Sequence, residues 1–359
     1  MKTKIVYVIV SNEQDIYLEQ AWVSAYSLRQ HTPDAHIVFV ADEATHENIT
    51  RSGRNAVCAV VDELLPVAVD KRLGNLEKSR WLKTNLRDII KGDFLFVDTD
   101  TVVTGDLSEI DGWKMDVGIV IDLHAPLNTF SRADEVKKTM GRIFGCDELH
   151  PKTEYYNSGV IYCKDTKEAH RFFKAWHDNW ERGVAKGVAT DQQSLVYTVN
   201  GMPNAVTPMS GDYNCQVLGS IQYLHTAKIM HFFNAKWNEN TLCPFFGKEI
   251  YRQVKQANGI TKEIDWQIRH CKELFPSPTP PIMGADVHIW RGPIFQVLRQ
   301  WWHRHKRLYA AVLFVCKGLL WLERHICKRT LTGGVDHDVP IREHVRLAFL
   351  HEPMGRAAA

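Results

Sequence analysis

The chain has 359 residues, of which 45% are hydrophobic and 24% are charged. This composition is close to the globular average and excludes a disordered, collagen-like or multi-span membrane chain. The length predicts two domains, or one large α/β domain with an extension. A formal net charge of +2 argues against a nucleic-acid-binding protein, although a small total can conceal regions of opposite charge.

The eight cysteines favour a reducing compartment. No two of them form a CxxC pair, and their spacing fits neither a zinc site nor a disulfide framework, so we expect mostly buried thiols. Six apolar residues at 5–10 are too few for the apolar region of a secretory signal. No run of 18 apolar residues predicts a transmembrane helix. We therefore expect a cytoplasmic protein.

Apolar periodicity predicts strands that alternate with helices along most of the chain. The predicted elements are a strand at 5–10, a helix at 15–31, a strand at 36–40, a helix at 76–90, strands at 94–97, 117–122 and 159–163, helices at 166–182 and 191–199, and a strand at 228–233. This alternation indicates a mostly parallel sheet in an α/β domain. Such sheets bind ligands in the crevice at the carboxyl ends of their strands.

Two carboxylates, Asp98 and Asp100, directly follow the predicted buried strand at 94–97. In a tight turn both could reach one divalent cation, and carboxylate oxygens suit Mg²⁺ or Mn²⁺. Alternatively, the two residues only cap and solubilise a turn. The buried run before them favours the cation, because carboxylates at the edge of a buried strand are costly unless they have a partner.

The same segment, Asp98 to Val102, also resembles the nucleophile motif of haloacid-dehalogenase-type phosphatases. In that family the first aspartate attacks phosphate. Two observations count against this alternative: about 90 residues of α/β pattern precede Asp98, and the downstream lysine and paired acidic loop of that family lack clear counterparts.

Three further segments favour a different family. They are Tyr155-Tyr156-Asn157-Ser158-Gly159-Val160, Thr190-Asp191-Gln192-Gln193 and His231-Phe232-Phe233-Asn234-Ala235-Lys236-Trp237. In this order, and together with the DxD motif, they resemble the retaining glycosyltransferases of family 8, which include glycogenin and bacterial lipopolysaccharide galactosyl- and glucosyltransferases. The resemblance covers roughly residues 4–245. It implies a GT-A fold, an α/β architecture with a mixed sheet flanked by helices.

The resemblance also implies a UDP-sugar as donor and Mn²⁺, or Mg²⁺ in its place, as metal. In this family both aspartates of the DxD motif and a late histidine hold the metal, and these positions match Asp98, Asp100 and His231. Carboxylates combined with imidazole suit Mn²⁺ chemically. His225 lies close in the sequence and is the alternative ligand.

Other positions of the family's donor site also match this sequence. The residues expected to bind the donor are Ser11, Asn12, Tyr17, Lys83, Thr99, Asn157 and Lys236, and those expected beside the sugar and its reacting carbon are Asp122, Asp191 and Gln192. Tyr17 could stack on uracil or be a core residue of its helix. Arg80 competes with Lys83 as the cation near the phosphates. Asp191 could instead cap its helix.

The segment after His231 departs from the family pattern HxxGxxKPW. It is one residue shorter, Asn234 stands where glycine is expected, and no proline precedes Trp237. Lys236 remains the expected contact to the diphosphate, with a solvated surface lysine as the alternative.

Retention of configuration requires either a double displacement or attack from the same face as the leaving group. Gln192 is a poor nucleophile because a carboxamide oxygen is barely basic. We therefore favour same-face attack, in which the leaving phosphate oxygen takes the proton of the acceptor.

Residues 288–329 hold nine basic residues and one acidic residue, a net charge of +8 that leaves −6 on the rest of the chain. Tryptophans and apolar residues recur among them at helical spacing, which predicts an interfacial helix on an anionic membrane. Alternatively, this helix packs on the catalytic domain or forms an oligomer interface. The lipopolysaccharide members of the family also end in a basic, aromatic tail.

The predicted division is a GT-A catalytic domain at 1–250, a helical segment with a proline-rich connector at 251–287, a basic amphipathic region at 288–329 and a tail at 330–359. We expect a peripheral protein on the inner face of the membrane that transfers a hexose to a lipopolysaccharide core or another glycan or glycolipid. The alternatives are the phosphatase and an inactive sugar-nucleotide-binding protein at the membrane.

Overall fold

The computed structural model describes residues 1–51, 53–127, 133–146, 154–233, 243–273, 289 and 292–325. The chain divides into two compact units, Met1–Lys272 and Glu273–Ala359. The strands lie in the first unit. They are β1 Lys4–Ile9, β2 Ile37–Asp42, β3 Glu63–Val67, β4 Phe94–Val97, β5 Thr101–Val103, β6 Val117–Ile121, β7 Tyr156–Cys163, β8 Thr207–Met209, β9 Cys215–Gln216 and β10 Ile229–His231.

Helices cover the strands of the first unit, and two further helices make up most of the described part of the second. They are α1 Tyr17–His31, α2 Glu43–Arg51, α3 Asn75–Thr84, α4 Leu86–Ile89, α5 Ala133–Phe144, α6 Lys167–Val184, α7 Asp191–Gly201, α8 Glu249–Ala257 and α9 Lys262–Arg269, then α10 Pro293–Arg304 and α11 Lys306–His325.

Seven strands form a mixed sheet in the order β3-β2-β1-β4-β7-β6-β8. Strands β1 to β4 pair in parallel, β7 runs antiparallel to both β4 and β6, and β8 pairs in parallel with β6. The expectations of a mostly parallel sheet and of the mixed sheet of a GT-A fold are therefore both confirmed, and β7 is the strand of this sheet that runs in the opposite direction. A small second sheet has the order β5-β10-β9.

The reversal of β7 brings distant segments to one edge of the sheet. The carboxyl ends of β1, β2, β4 and β6 lie at this edge, and the antiparallel β7 begins there. Val97 pairs with Val160 and Ile121 with Tyr156, so the segment at 155–160 lies between the DxD turn and the end of β6. Strand β7 begins at Tyr156 and so includes all of this segment except Tyr155, which corrects the expected start of the strand at 159.

Two other predicted boundaries are wrong for local reasons. The helix predicted at 76–90 is broken at Asn85, where Thr84 and Asn85 bond through their side chains to the carbonyl oxygens of the preceding turn. The strand predicted at 117–122 ends at Ile121, because Asp122 opens a 3₁₀ turn in which Leu123 and His124 have positive φ.

A chain of buried hydroxyl groups anchors the DxD turn. The Thr101 hydroxyl donates to the Asp98 carbonyl over 2.9 Å and lies 2.7 Å from the Ser24 hydroxyl, which is 3.0 Å from that of Tyr7. Since Thr101 uses its one proton on Asp98, Ser24 donates to Thr101 and Tyr7 donates to Ser24. Strand β1 and helix α1 thus hold the turn in place.

The described part of the second unit includes the helices α10 and α11, which contact each other. Trp302 and Tyr309 pack edge to face across their junction, with ring centroids 5.0 Å apart. Many apolar side chains on both helices are exposed, among them Ile294, Phe314, Val315 and Leu319. Within the described ranges, none of the helices is long and apolar enough to cross a membrane.

The cysteines agree with the expected thiol chemistry. Of the seven in the described part of the chain, four are buried, namely Cys163, Cys215, Cys243 and Cys271.

Trp176 on α6 connects the hydrophobic core to the first residue of α7. Its ring is fully buried, and its indole N–H donates to the Asp191 carbonyl over 3.2 Å. We expect Trp176→Ala to lower the free energy of unfolding by about 3–5 kcal/mol. Trp176→Phe, which keeps much of the packing and loses the hydrogen bond, should cost about 1–2 kcal/mol. Urea unfolding followed by circular dichroism measures both, and equal losses would contradict this ranking.

Candidate active site

The DxD turn follows β4 at the edge where the strands end. The backbone N–H of Asp98 donates to the Gly159 carbonyl over 2.7 Å, and the N–H of Phe232 donates to the Asp100 carbonyl over 3.0 Å. Strand β7 and the residue that follows β10 therefore fix the turn. The side chains of Asp98 and Asp100 remain 27% and 20% exposed, so they can reach a ligand from the solvent side.

His231 meets both carboxylates from the end of β10. Its Nε2 atom lies 3.2 Å from Oδ1 of Asp100 and 4.0 Å from Oδ2 of Asp98. One ligand atom from each of the three residues falls within 4.8 Å of the others. Two carboxylate oxygens and one imidazole nitrogen form a donor set that suits Mn²⁺ or Mg²⁺. His225 is exposed and does not belong to this cluster.

The charges of this cluster depend on one another. Burial raises the pKa of Asp98 above its usual value, although Lys83 and His231 act in the opposite direction. Burial acts to lower the pKa of His231, but the negative charge and hydrogen bond of Asp100, helped by Asp98, raise it above its usual value. The cluster thus favours a positive charge between its carboxylates.

A second group of charges adjoins the first. Lys83 is 2% exposed, and its Nζ atom lies 3.4 Å from Oδ1 of Asp98 and 3.1 Å from both Oδ2 of Asp191 and the Ser158 hydroxyl. Arg80, one turn earlier on α3, places Nε 2.9 Å from Oδ1 of Asp191. Both candidate cations are therefore present in the site, and each contacts a different oxygen of the Asp191 carboxylate.

Asp191 begins α7 but does not cap it. Thr190 is the N-cap residue, and the Asp191 carboxylate binds Arg80, Lys83 and the hydroxyl of Ser158. Burial acts against its charge, but Lys83 and Arg80 outweigh burial and lower the pKa of Asp191 well below its usual range. The alternative of a helix cap is therefore excluded, and the low pKa favours an ionised Asp191.

Three amide or carboxylate side chains continue the site on the far side of His231. Asn214 lies 2.9 Å from Nδ1 of His231 and donates to Oδ1 of Asn157 over 2.9 Å. Asn157 in turn donates to Oδ1 of Asp122 over 2.8 Å. Asp122 and Asn157 are 6% and 7% exposed, so both lie at the inner wall of the site.

Gln192 lies beside Asn157, whereas Thr99, in the DxD turn, bonds to helix α1. The Gln192 amide donates to the Tyr156 carbonyl, next to Asn157, and the Thr99 hydroxyl is 3.4 Å from Oε1 of Gln20. Gln192 is therefore held against the start of β7, where its neighbour Asp191 also binds Ser158.

The loop after β1 is organised by Asp15, a residue that the sequence patterns did not single out. Its carboxylate accepts hydrogen bonds from the Ser11 hydroxyl over 2.6 Å and from the backbone N–H groups of Asn12 and Tyr17. Tyr17 is the first residue of α1 and is 45% exposed, so the alternative of a core tyrosine is excluded.

The predicted contact Lys236 and the altered segment at 234–237 lie outside the described residues, as do the connector at 276–281 and the tail at 330–359.

Sequence patterns missed Ser158 and Asn214 as members of the site, and they missed Gln216 beside it. Gln216 is fully buried, accepts from the Leu123 N–H and donates to the Ile121 carbonyl, so it stabilises the unusual turn after β6. Polar residues at 214 and 216 flanking Cys215 were the available signal, because polar side chains in a buried run need internal partners.

The family model for glycosyl transferase family 8 matches residues 8–240, more than half of the chain. This chain belongs to glycosyltransferase family 8. It is therefore a glycosyltransferase with a GT-A fold, as the ordered motifs predicted.

Among solved structures, the apo form of mouse xyloside xylosyltransferase 1 aligns with 12% identity and a TM-score of 0.46, over 67% of this chain and all of that one. The apo form of glycosyltransferase GlyE from Streptococcus pneumoniae TIGR4 aligns with 13% identity and a TM-score of 0.46, over 76% of this chain. The alignment spans 64% of GlyE, slightly less than two thirds of its length. No curated protein matches the chain.

Gly159 is needed where β7 passes behind His231. A Cβ atom at Gly159 would lie 2.7 Å from Nδ1 of His231, closer still to Cε1, and 2.9 Å from Oδ1 of Asn157. We expect Gly159→Ala to displace the imidazole and to weaken Mn²⁺ binding about 10-fold or more. Gly112→Ala, where a Cβ meets nothing within 4 Å, is the matched control. Isothermal titration with Mn²⁺ measures both, and unchanged affinity in Gly159→Ala would contradict this assignment.

Proposed function

We propose that this glycosyltransferase is a metal-dependent, retaining hexosyltransferase that uses a UDP-sugar donor. The observation that carries the proposal is the convergence of Asp98, Asp100 and His231 on one point beside the buried cation Lys83. Its acceptor is a lipopolysaccharide core or another glycan or glycolipid, since the second unit carries features of a membrane-binding segment.

Asp98, Asp100 and His231 would hold Mn²⁺ or Mg²⁺. When bound, the metal supplies positive charge that stabilises the diphosphate as the bond to the sugar breaks. The fit rests on the donor set, because a carboxylate oxygen from each aspartate and a ring nitrogen of His231 lie within 4.8 Å of one another.

The chain's own cations would act on the same leaving group. Lys83 and Arg80 place two positive charges beside the DxD carboxylates, and Arg80 is 28% exposed towards solvent. A contact of this kind to developing charge is worth about 10²–10³ in rate. Lys236 is proposed as a further diphosphate contact from its place in the sequence, and Ser11, Asn12, Thr99 and Tyr17 as contacts to the nucleoside side of the donor.

The sugar would lie between Asp122 and Asn157 on one side and Asp191 and Gln192 on the other. Both oxygens of Asp191 are engaged by cations, and its pKa is low, so this carboxylate is a weak nucleophile. This supports attack by the acceptor on the same face as the leaving group. A covalent glycosyl-enzyme trapped on Asp191 or Asp122 would contradict this mechanism.

The phosphatase alternative assigns the nucleophile to Asp98. Membership of family 8 favours the transferase, and so does the position of His231, which contacts the DxD carboxylates but has no role in the phosphatase mechanism. Phosphate release that tolerates His231→Ala would support the phosphatase instead.

Donor turnover tests the proposal. Purified protein is incubated with Mn²⁺ and a panel of UDP-sugars, and released UDP is measured. We expect turnover with at least one sugar, no turnover with chelator, and a loss of at least 100-fold in Asp98→Asn, because one carboxylate ligand becomes a neutral amide. Asp178→Asn, on an exposed carboxylate paired with Lys174, is the control and should keep full activity. UDP binding without release from any sugar would indicate the inactive binding protein.

We also propose that α10 and α11 bind an anionic membrane surface. Apolar side chains of both helices are 39–79% exposed, and Arg299, Arg304, Lys306, Arg307 and Lys317 lie on the same two helices. Exposed apolar area combined with basic residues is typical of interfacial helices. Many exposed apolar side chains on two adjacent helices favour a binding partner for this surface.

Vesicle co-sedimentation measures this interaction. We expect binding to vesicles that contain an anionic phospholipid and much weaker binding to neutral vesicles. Arg299→Gln combined with Lys306→Gln should lower the affinity about 30-fold, since each basic residue near the surface contributes about 1 kcal/mol. Ile221→Ser, at a 53% exposed apolar residue of the first unit, is the control. Equal binding to neutral and anionic vesicles would contradict the electrostatic part of the proposal.

A further inference from the structure

Asn214 and Asn157 form a chain of hydrogen-bonded amides behind His231. The backbone N–H of Gly159 determines which atom of each amide donates and which accepts. The N–H of Gly159 donates to the side chain of Asn157 over 3.0 Å. A backbone N–H is only a donor, so the Asn157 atom that faces it is the carbonyl oxygen. The Asn157 amide nitrogen therefore faces the Asp122 carboxylate and donates to it over 2.8 Å.

The orientation of the Asn214 amide follows in the same way. The atom of Asn214 that lies 2.9 Å from Oδ1 of Asn157 must be its amide nitrogen, because two carbonyl oxygens cannot share a hydrogen bond. Its own carbonyl oxygen then faces Nδ1 of His231 at 2.9 Å. An acceptor at this position requires a proton on Nδ1 of the imidazole.

A neutral imidazole has one protonated nitrogen. With the proton on Nδ1, the lone pair is on Nε2, the atom that faces Asp98 and Asp100. Asn214 and Asn157 are 0% and 7% exposed, so water does not readily replace either hydrogen bond.

We infer that Asn214 is a positioning residue: through the backbone N–H of Gly159 and the amide of Asn157, it fixes the tautomer of His231 and presents Nε2 to the cation held by Asp98 and Asp100. This inference rests on the proposed metal site. Partners of this kind, which bind the second nitrogen of a ligating histidine, typically change metal affinity 10–100-fold when they are removed.

Two substitutions of similar size separate this role from a structural one. Asn214→Leu and Asn214→Asp both remove the amide nitrogen that donates to Asn157, but Asn214→Asp keeps an oxygen that accepts from Nδ1 of His231. We expect Asn214→Leu to weaken Mn²⁺ binding 10–100-fold and Asn214→Asp to stay within about threefold of the unchanged protein. The readout is the electron paramagnetic resonance signal of free Mn²⁺ during titration of the full chain, without donor.

A double-mutant cycle with His231→Ala completes the test. If Asn214 acts through His231, Asn214→Leu has no further effect on Mn²⁺ affinity once the imidazole is gone. Asn179→Leu removes a hydrogen bond to Thr198 on α7 and is the control, with unchanged affinity expected.

Several outcomes would overturn the inference. An equal loss of Mn²⁺ affinity in folded Asn214→Leu and Asn214→Asp would assign Asn214 to packing alone. If Asn214→Leu does not fold, a loss of about 10-fold or more in folded Asn214→Asp would still overturn the inference, which expects a change within about threefold. A full effect of Asn214→Leu in the His231→Ala background would also reject it. If the unchanged protein binds no Mn²⁺, the metal site itself is wrong, whereas normal binding with no effect at Asn214 rejects only the positioning role.

Discussion

The buried ammonium group of Lys83 lies within 3.4 Å of oxygen atoms from Asp98, Ser158 and Asp191. These residues come from the DxD turn, β7 and α7, and Lys83 itself comes from α3. Carboxylates this close together repel one another unless a cation lies between them. Loss of one member of a buried ion pair typically costs about 3–5 kcal/mol, so the arrangement of four segments depends on this one charge.

The site therefore has two electrostatic halves that share Asp98. On one side, Lys83 and Arg80 hold Asp191 ionised and oriented at the start of α7. On the other, His231 faces Asp98 and Asp100, and a chain of amides supports it from behind. The first half carries its own positive charge, whereas the second favours an added one. Because of this difference, one half of the cluster could bind a metal while Lys83 and Arg80 in the other half keep their positive charge beside the donor.

The family, the GT-A architecture and the DxD cluster could be predicted from the sequence, because the strand at 94–97 has a strong apolar run and the motifs occur in a fixed order. The direction of β7 could not, since Tyr156–Cys163 is buried throughout and a buried strand gives no periodic signal of its orientation. The break at Asn85 was missed for a similar reason: the apolar face continues across it, and only side-chain hydrogen bonds end the helix. Asn214 escaped notice because its importance arises from a contact with His231 that lies 17 residues away.

Anomalous X-ray diffraction from crystals grown with Mn²⁺ and UDP tests the central claim most directly. The account predicts one strong manganese peak within coordination distance of Asp98, Asp100 and Nε2 of His231, with the diphosphate on its other side. UDP bound in the crevice with no manganese at these three residues, or with manganese held elsewhere, would contradict it.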